Sequence, residues 1–124
     1  MTGFTPNYED DAVAFEISVE AGTEPPLITL RGEMDLRAAA DLRETLLRAL
    51  AEGGGSLVLD LSGLTFLDST IISVLIMARK RAEVRHGEVT LRRVPKKVLR
   101  LLAITGIESL FSFETTEELA PDQS

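Results

Sequence analysis

The feature that most constrains the fold is a change of hydrophobic period in the middle of the chain. Leu57-Val58-Leu59-Asp60-Leu61 is a short, almost continuously apolar run, the pattern of a strand covered on both faces. Leu64, Phe66 and Leu67 carry the chain further inward. Val74, Leu75, Ile76, Met77 and Ala78 then lead into Arg79-Lys80-Arg81, which reads as a helix with a wet far end. Asp68-Ser69-Thr70 falls where the strand hands over to the helix. Asp, Ser and Thr accept hydrogen bonds from the free N–H groups of a helix's first turn, so one reading of the trio is an N-cap. The other is a switch: a hydroxyl at a helix N-terminus is exposed, and a phosphate added there meets the positive end of the helix dipole.

The flanking sequence completes an alternating order. Ala14 to Glu20 alternates apolar and polar residues at period two, and Leu27 to Gly32 reads as a second strand. The turn between them, with Gly22, Pro25 and Pro26, is too short for a crossover, so the pair is an antiparallel hairpin. From about Ala38 the spacing of Ala39, Leu42, Leu46 and Leu50 predicts an amphipathic helix, with Arg37, Asp41, Arg43, Glu44 and Arg48 mostly on its wet side. Gly53-Gly54-Gly55 ends it. These glycines follow a helix and lack a Gly-Lys-Ser/Thr sequel, so they read as a flexible connection and not as a phosphate loop. The helix after Asp68 runs to about Val84, with Gly87 as its stop signal. Glu88 to Val94 reads as a strand. Pro95 suits the first turn of a third helix, whose apolar face is Val98, Leu99, Leu101, Leu102 and Ile104 and which Gly106 ends. Phe111 to Phe113 reads as a short edge strand, and Thr115 or Thr116 as the cap of a last short helix through Leu119. At 124 residues this is one domain, with residues 1–11 and 120–124 expected to be loose termini. The prediction is a small α/β fold of about four to five strands and about four helices. It has an N-terminal antiparallel hairpin and parallel strands in the second half.

Composition removes several function classes. There is no cysteine, so disulfides, thiolate catalysis and cysteine metal sites are excluded. The single histidine, His86, reads as a cation near a helix C-terminus. It stands 17 residues from Ser69 along one helix, roughly 25 Å at helical rise, so Ser69 has no base within reach. Asp35, Asp60 and Asp68 can gather near strand ends, where such sheets bind ligands and where three carboxylates can hold a cation; the other reading of Asp60 is a loop anchor. No enzyme activity, cofactor or metal is expected. Net charge is −7, with six acids and no Lys or Arg in residues 1–24 and four acids and no base in residues 114–124. The middle carries ten acids against all 13 bases. The acidic ends would repel a phosphate backbone, so nucleic-acid binding is not expected. No apolar run approaches the roughly 18 residues of a membrane span, and the N-terminus lacks a signal-peptide pattern. A cytoplasmic protein without a membrane partner is expected.

Four stretches in order carry a family resemblance: Gly32-Glu33-Met34-Asp35, Leu57-Val58-Leu59-Asp60-Leu61, Phe66-Leu67-Asp68-Ser69-Thr70, and Ile104-Thr105-Gly106-Ile107 with Leu110-Phe111 following. From about Phe15 to Glu118 the chain resembles the STAS domain, the fold of bacterial anti-sigma factor antagonists. The resemblance implies a partner-switching regulator of transcription. Such a protein binds an anti-sigma factor that is also a serine kinase, is phosphorylated by it on the serine that falls here on Ser69, lets go, and is restored by a serine phosphatase. It places Asp35 beside the phosphosite as a partner-contact candidate, with helix capping as its alternative role, and puts Asp68 in the same surface. Thr70 is the neighbouring acceptor or a capping residue. The chain departs from the family at Ile71, where glycine is usual two residues after the serine. An exposed Ile71 would be an apolar anchor for a different partner, or would block the kinase. The alternative function is therefore a non-switched STAS module serving as a subunit or ligand sensor in a larger signalling or transport assembly. The length of the chain on its own argues against a transporter tail.

Overall fold

In the computed structural model, which describes residues 15–20 and 22–114, five strands form one sheet in the order β1-β2-β3-β4-β5. β1 (Phe15–Glu20) and β2 (Leu27–Met34) make the expected antiparallel hairpin, with Phe15 opposite Gly32 and Glu20 opposite Leu27. β3 (Leu57–Leu67), β4 (Val89–Arg92) and β5 (Ser112–Glu114) follow, each parallel to its predecessor. The crossovers between parallel strands carry α1 (Ala39–Glu52), α2 (Ser69–Val84) and α3 (Lys96–Thr105), as parallel pairing demands.

Three α-helices, not about four, stand among the described residues, with single 3-10 turns at Leu36–Ala38 and Glu108–Leu110. The fourth expected helix, from Thr115 or Thr116 to Leu119, lies outside the described residues, as do the termini expected to be loose. Packing explains the helix register. Leu42, Leu46, Ala49 and Leu50 of α1 and Ile71, Leu75, Ala78 and Ala82 of α2 are buried, and they join the core that contains Ile28, Leu30, Leu57, Leu59 and Leu61. α1 and α2 also pack against each other.

Two corners differ from expectation. The glycine run after α1 is a built turn. Gly55 is buried at φ +101°, and a Cβ on Gly87 would stand 2.2 Å from the Gly55 carbonyl oxygen. Close backbone approach, not looseness, is what requires glycine there. At the end of α2 the left-handed residue is His86 (φ 63°) and not Gly87. His86 N–H donates to Glu83 O and Gly87 N–H to Ala82 O, the paired bonds of a Schellman stop.

β3 is longer than its apolar core implies, running on from Leu61 to Leu67. Its pairing with β2 slips twice. The register jumps from Thr29–Asp60 to Arg31–Gly63 and from Gly32–Leu64 to Glu33–Phe66, one extra β3 residue each time. Inward positions after Leu61 therefore fall at Leu64 and Leu67, a spacing of three, and Thr65 and Phe66 both face solvent. Phe66, expected to point inward, is 48% exposed.

Candidate functional site

The two strand ends and the start of α2 meet at one edge of the sheet. Met34 pairs with Leu67, and Asp68 N–H donates to Met34 O at 3.3 Å. This bond sets Asp35 and Asp68 side by side in chain position, each one residue beyond its strand. Both are caps. Asp35 is extended and accepts from Arg37 N–H at 2.9 Å, opening the 3-10 turn. Arg37 also donates to it through Nε and Nη2, both at 3.2 Å. The side-chain hydrogen bond from Arg37, more than any other cause, holds the Asp35 carboxyl below its ordinary value. Asp68 caps α2: its carboxylate accepts from Ile71 N–H at 3.1 Å, and its carbonyl accepts from Ile72 N–H.

Because Asp68 is the cap, the hydroxyls that follow it are left over from that duty. Ser69 is the first residue of α2, is exposed, and makes no side-chain hydrogen bond among the described residues. Thr70 is half-buried and likewise does not cap. Thus the cap and the candidate acceptor, which compete for the same trio in the sequence, are separate residues. Ile71 is 0% exposed. Its side chain is core, so the expectation that it anchors a partner is corrected: the first turn of α2 turns that position inward against the sheet.

Asp60 does not join Asp35 and Asp68. It sits in the middle of β3, 3% exposed, and accepts from Ser62 N–H at 2.9 Å and from Arg93 Nε and Nη2. Burial pushes its carboxyl up, but the Arg93 and Ser62 hydrogen bonds outweigh that and leave it below the ordinary value. Its role is the loop anchor: it ties β3 to the β4–α3 connection, where Arg93 adopts φ 51°. Among the described residues no group of three or more His, Asp or Glu side chains is placed to share a metal ion. His86 lies at the opposite end of α2 from Ser69. A hollow of about 420 Å³ lined by Glu24, Pro25, Gly53, Ser56, Leu57, Glu88 and Thr90 is at the other end of the parallel strands and involves none of the site residues.

The sequence reading missed three features of this edge. They are the Arg37 clamp on Asp35, the exposure of Phe66, and the exposure of Leu36, 69% open directly after Asp35. Gly63, inside a strand pattern, is the signal that marks a bulge and so a change of facing.

A mixed five-stranded sheet whose central strand ends in a capped helix start, with an exposed, uncommitted serine hydroxyl on that first turn, defines a small α/β domain of a recognisable class. The chain belongs to the STAS domain family. The family profile described as "Mlab, STAS domain" matches residues 17–112. The anti-sigma-B factor antagonist of Bacillus subtilis is 30% identical over 91 residues, which cover 73% of this chain and 83% of that protein. Among solved structures, the anti-sigma factor antagonist SpoIIAA in its unphosphorylated form superposes with a TM-score of 0.70 at 23% identity, over 84% of this chain and 92% of that one. The Bacillus cell fate determinant SpoIIAA in its phosphorylated form gives 0.65 at 20% identity, over 84% and 96%. No helix among the described residues is long and apolar enough to cross a membrane.

Proposed function

We propose that this chain is an anti-sigma factor antagonist, that it binds an anti-sigma factor with serine kinase activity, and that phosphorylation of Ser69 ends the binding until a phosphatase reverses it. The observation that carries this reading is the Ser69 hydroxyl, exposed and uncommitted at the first position of α2 because Asp68 already caps the helix. Relatives at about this identity bear the name antagonist of anti-sigma-B factor or of anti-sigma-F factor, and a related fold exists in a phosphorylated form. The departure at Ile71 does not count against the reading. With its side chain buried, isoleucine adds no bulk outside and leaves approach to Ser69 open. The non-switched module loses the argument from an exposed Ile71.

Phosphate adds about −1.5 to −2 charges and three strongly hydrated oxygens to a surface that already holds Asp35 and Asp68. Covering that dianion with a partner surface that fits a neutral hydroxyl costs several kcal/mol of desolvation, and about 2.8 kcal/mol is already a hundredfold in affinity. The test is in vitro phosphorylation by the purified anti-sigma kinases of the host organism, read by intact mass. A gain of about 80 Da in wild type and its absence in Ser69→Ala is the expected result. Modification that persists in Ser69→Ala, or no modification by any of these kinases, overturns the reading.

A further inference from the structure

We infer that Phe66 and Leu36 are the apolar anchors that seat the partner around Ser69, and that their occupant is an apolar cleft on the anti-sigma factor with a neutral or basic rim; this rests on the reading of Ser69 as the partner-facing hydroxyl. An isolated exposed aliphatic side chain requires no explanation. These two are different because of where they are and how one comes to be exposed. Leu36 follows Asp35 directly, and the turn that carries it packs against α2. Phe66 stands three residues before Ser69, within roughly 10 Å of chain reach. It is turned outward by the second slip of the β2–β3 register, without which Leu64, Phe66 and the core would share a face. Bulges re-aim side chains next to functional sites. The chain therefore places a large aromatic and a leucine, 48% and 69% exposed, each two residues from the Met34–Asp68 hydrogen bond that joins the strand ends beside Ser69.

Charge decides the occupant. Glu33 is exposed and in register with Phe66, Asp35 and Asp68 follow at the strand ends, and Arg37 is bound to Asp35. A second copy of this chain, itself at −7, would set acid against acid about a two-fold axis, so self-association is disfavoured. A cleft that is apolar in the middle and uncharged or basic at its edge fits. This also gives the switch a cause: a hydroxyl near Phe66 and Leu36 can be covered by apolar surface, whereas a phosphate in that position cannot be.

The experiment is titration calorimetry of each purified anti-sigma factor of the host organism against wild type, Phe66→Ser, Leu36→Ser and Val84→Ser, with circular dichroism to confirm that all four are folded. Val84 is 77% exposed and sits roughly 22 Å along α2 from Ser69, so it controls for loss of any exposed aliphatic. The expected result is one factor that binds wild type and Val84→Ser alike and binds Phe66→Ser about thirtyfold or more weakly, with Leu36→Ser also weakened. Binding undiminished in both Phe66→Ser and Leu36→Ser overturns the anchors while leaving the antagonist reading in place. Failure of every factor to bind wild type overturns both. A wild-type dimer in sedimentation that Phe66→Ser converts to monomer overturns the occupant.

Discussion

Breaking the Asp60–Arg93 pair from its two ends should have unequal consequences, because the two charges are buried unequally. The Asp60 side chain is 4% exposed and that of Arg93 is 50% exposed. Arg93→Ala leaves a carboxylate inside the protein with Ser62, through its N–H and its side chain, to satisfy it. Removing one partner of a fully buried pair costs about 3–5 kcal/mol; half-exposure of Arg93 admits water beside Asp60, so about 2–3 kcal/mol is the appropriate estimate here. Asp60→Asn removes the buried charge itself, keeps an acceptor for Ser62 and leaves an arginine that water can solvate, so its cost is about 1 kcal/mol. For a domain of this size each kcal/mol lowers Tm by roughly 3–5 °C. Arg93→Ala should therefore melt roughly 6–15 °C below wild type, and Asp60→Asn by about half of that or less. Arg93→Gly relieves the left-handed backbone and should recover about 1 kcal/mol relative to Arg93→Ala. The pH dependence isolates the carboxylate. Its folded pKa lies below the ordinary 3.8, so the stability it contributes is fully present above that value and is lost as pH falls through the folded one. In Arg93→Ala, burial without the guanidinium pushes the pKa up, so lowering the pH relieves that variant of a buried charge instead of costing it stability. The stability gap between wild type and Arg93→Ala, measured by urea unfolding, should therefore be widest near neutrality and close as pH falls below 3.8. An Asp60→Asn cost equal to or above that of Arg93→Ala, or a gap independent of pH, refutes the reasoning.

Two further substitutions test the site's architecture. Asp68→Ala removes the acceptor of the Ile71 N–H and should cost about 1 kcal/mol, or roughly 3–5 °C in a thermal melt, while Asp68→Asn, which can still cap, should lose less than half as much. Ile71→Gly, which installs the residue usual in the family, should destabilise by at least about 3 kcal/mol in urea unfolding, because it empties a fully buried position and puts glycine in a helix. A near-neutral result there would return Ile71 to the surface.

Much of the fold was legible because period and punctuation agree. The hairpin is written in the alternation of Phe15 to Glu20 and in a turn too short to cross over. The parallel half is written in the regular exchange of apolar strand and amphipathic helix. What was not legible depends on contacts distant in sequence. Asp60 reads either as a strand-end carboxylate or as a loop anchor, and only Arg93, 33 residues later, decides for the anchor. His86 takes the left-handed position that Gly87 seemed made for, because Gly87 is needed where it stands against the Gly55 carbonyl. Ile71 looks like a surface departure from the family pattern, and only the rotation of the first turn of α2, fixed by the Asp68 cap, sends it inward. At the candidate site the sequence supplied Asp35, Asp68, Ser69 and Thr70, but not Phe66. Strand alternation is a reliable guide only while the register holds, and here it slips twice within β3.

Those two slips and the Asp68 cap bear on how a switch at this edge can work. The Ile71 N–H, which would otherwise be available to a phosphate, is already held by Asp68, and Arg37 is engaged by Asp35 through two nitrogens. A phosphate on Ser69 would thus meet a first turn whose Ile71 N–H and neighbouring Arg37 already have partners, beside two carboxylates. It has weak means to reorganise the domain, since ordering or melting a segment requires new charge-assisted bonds or the loss of old ones. The consequence is a change in what the surface presents, with the fold held fixed by strand ends that are bonded to each other at Asp68 and Met34. Under the proposed switch, discrimination between the two forms would then reside in the partner, which would have to cover Ser69 closely enough to register a phosphate. A loose contact over the same residues would tolerate it.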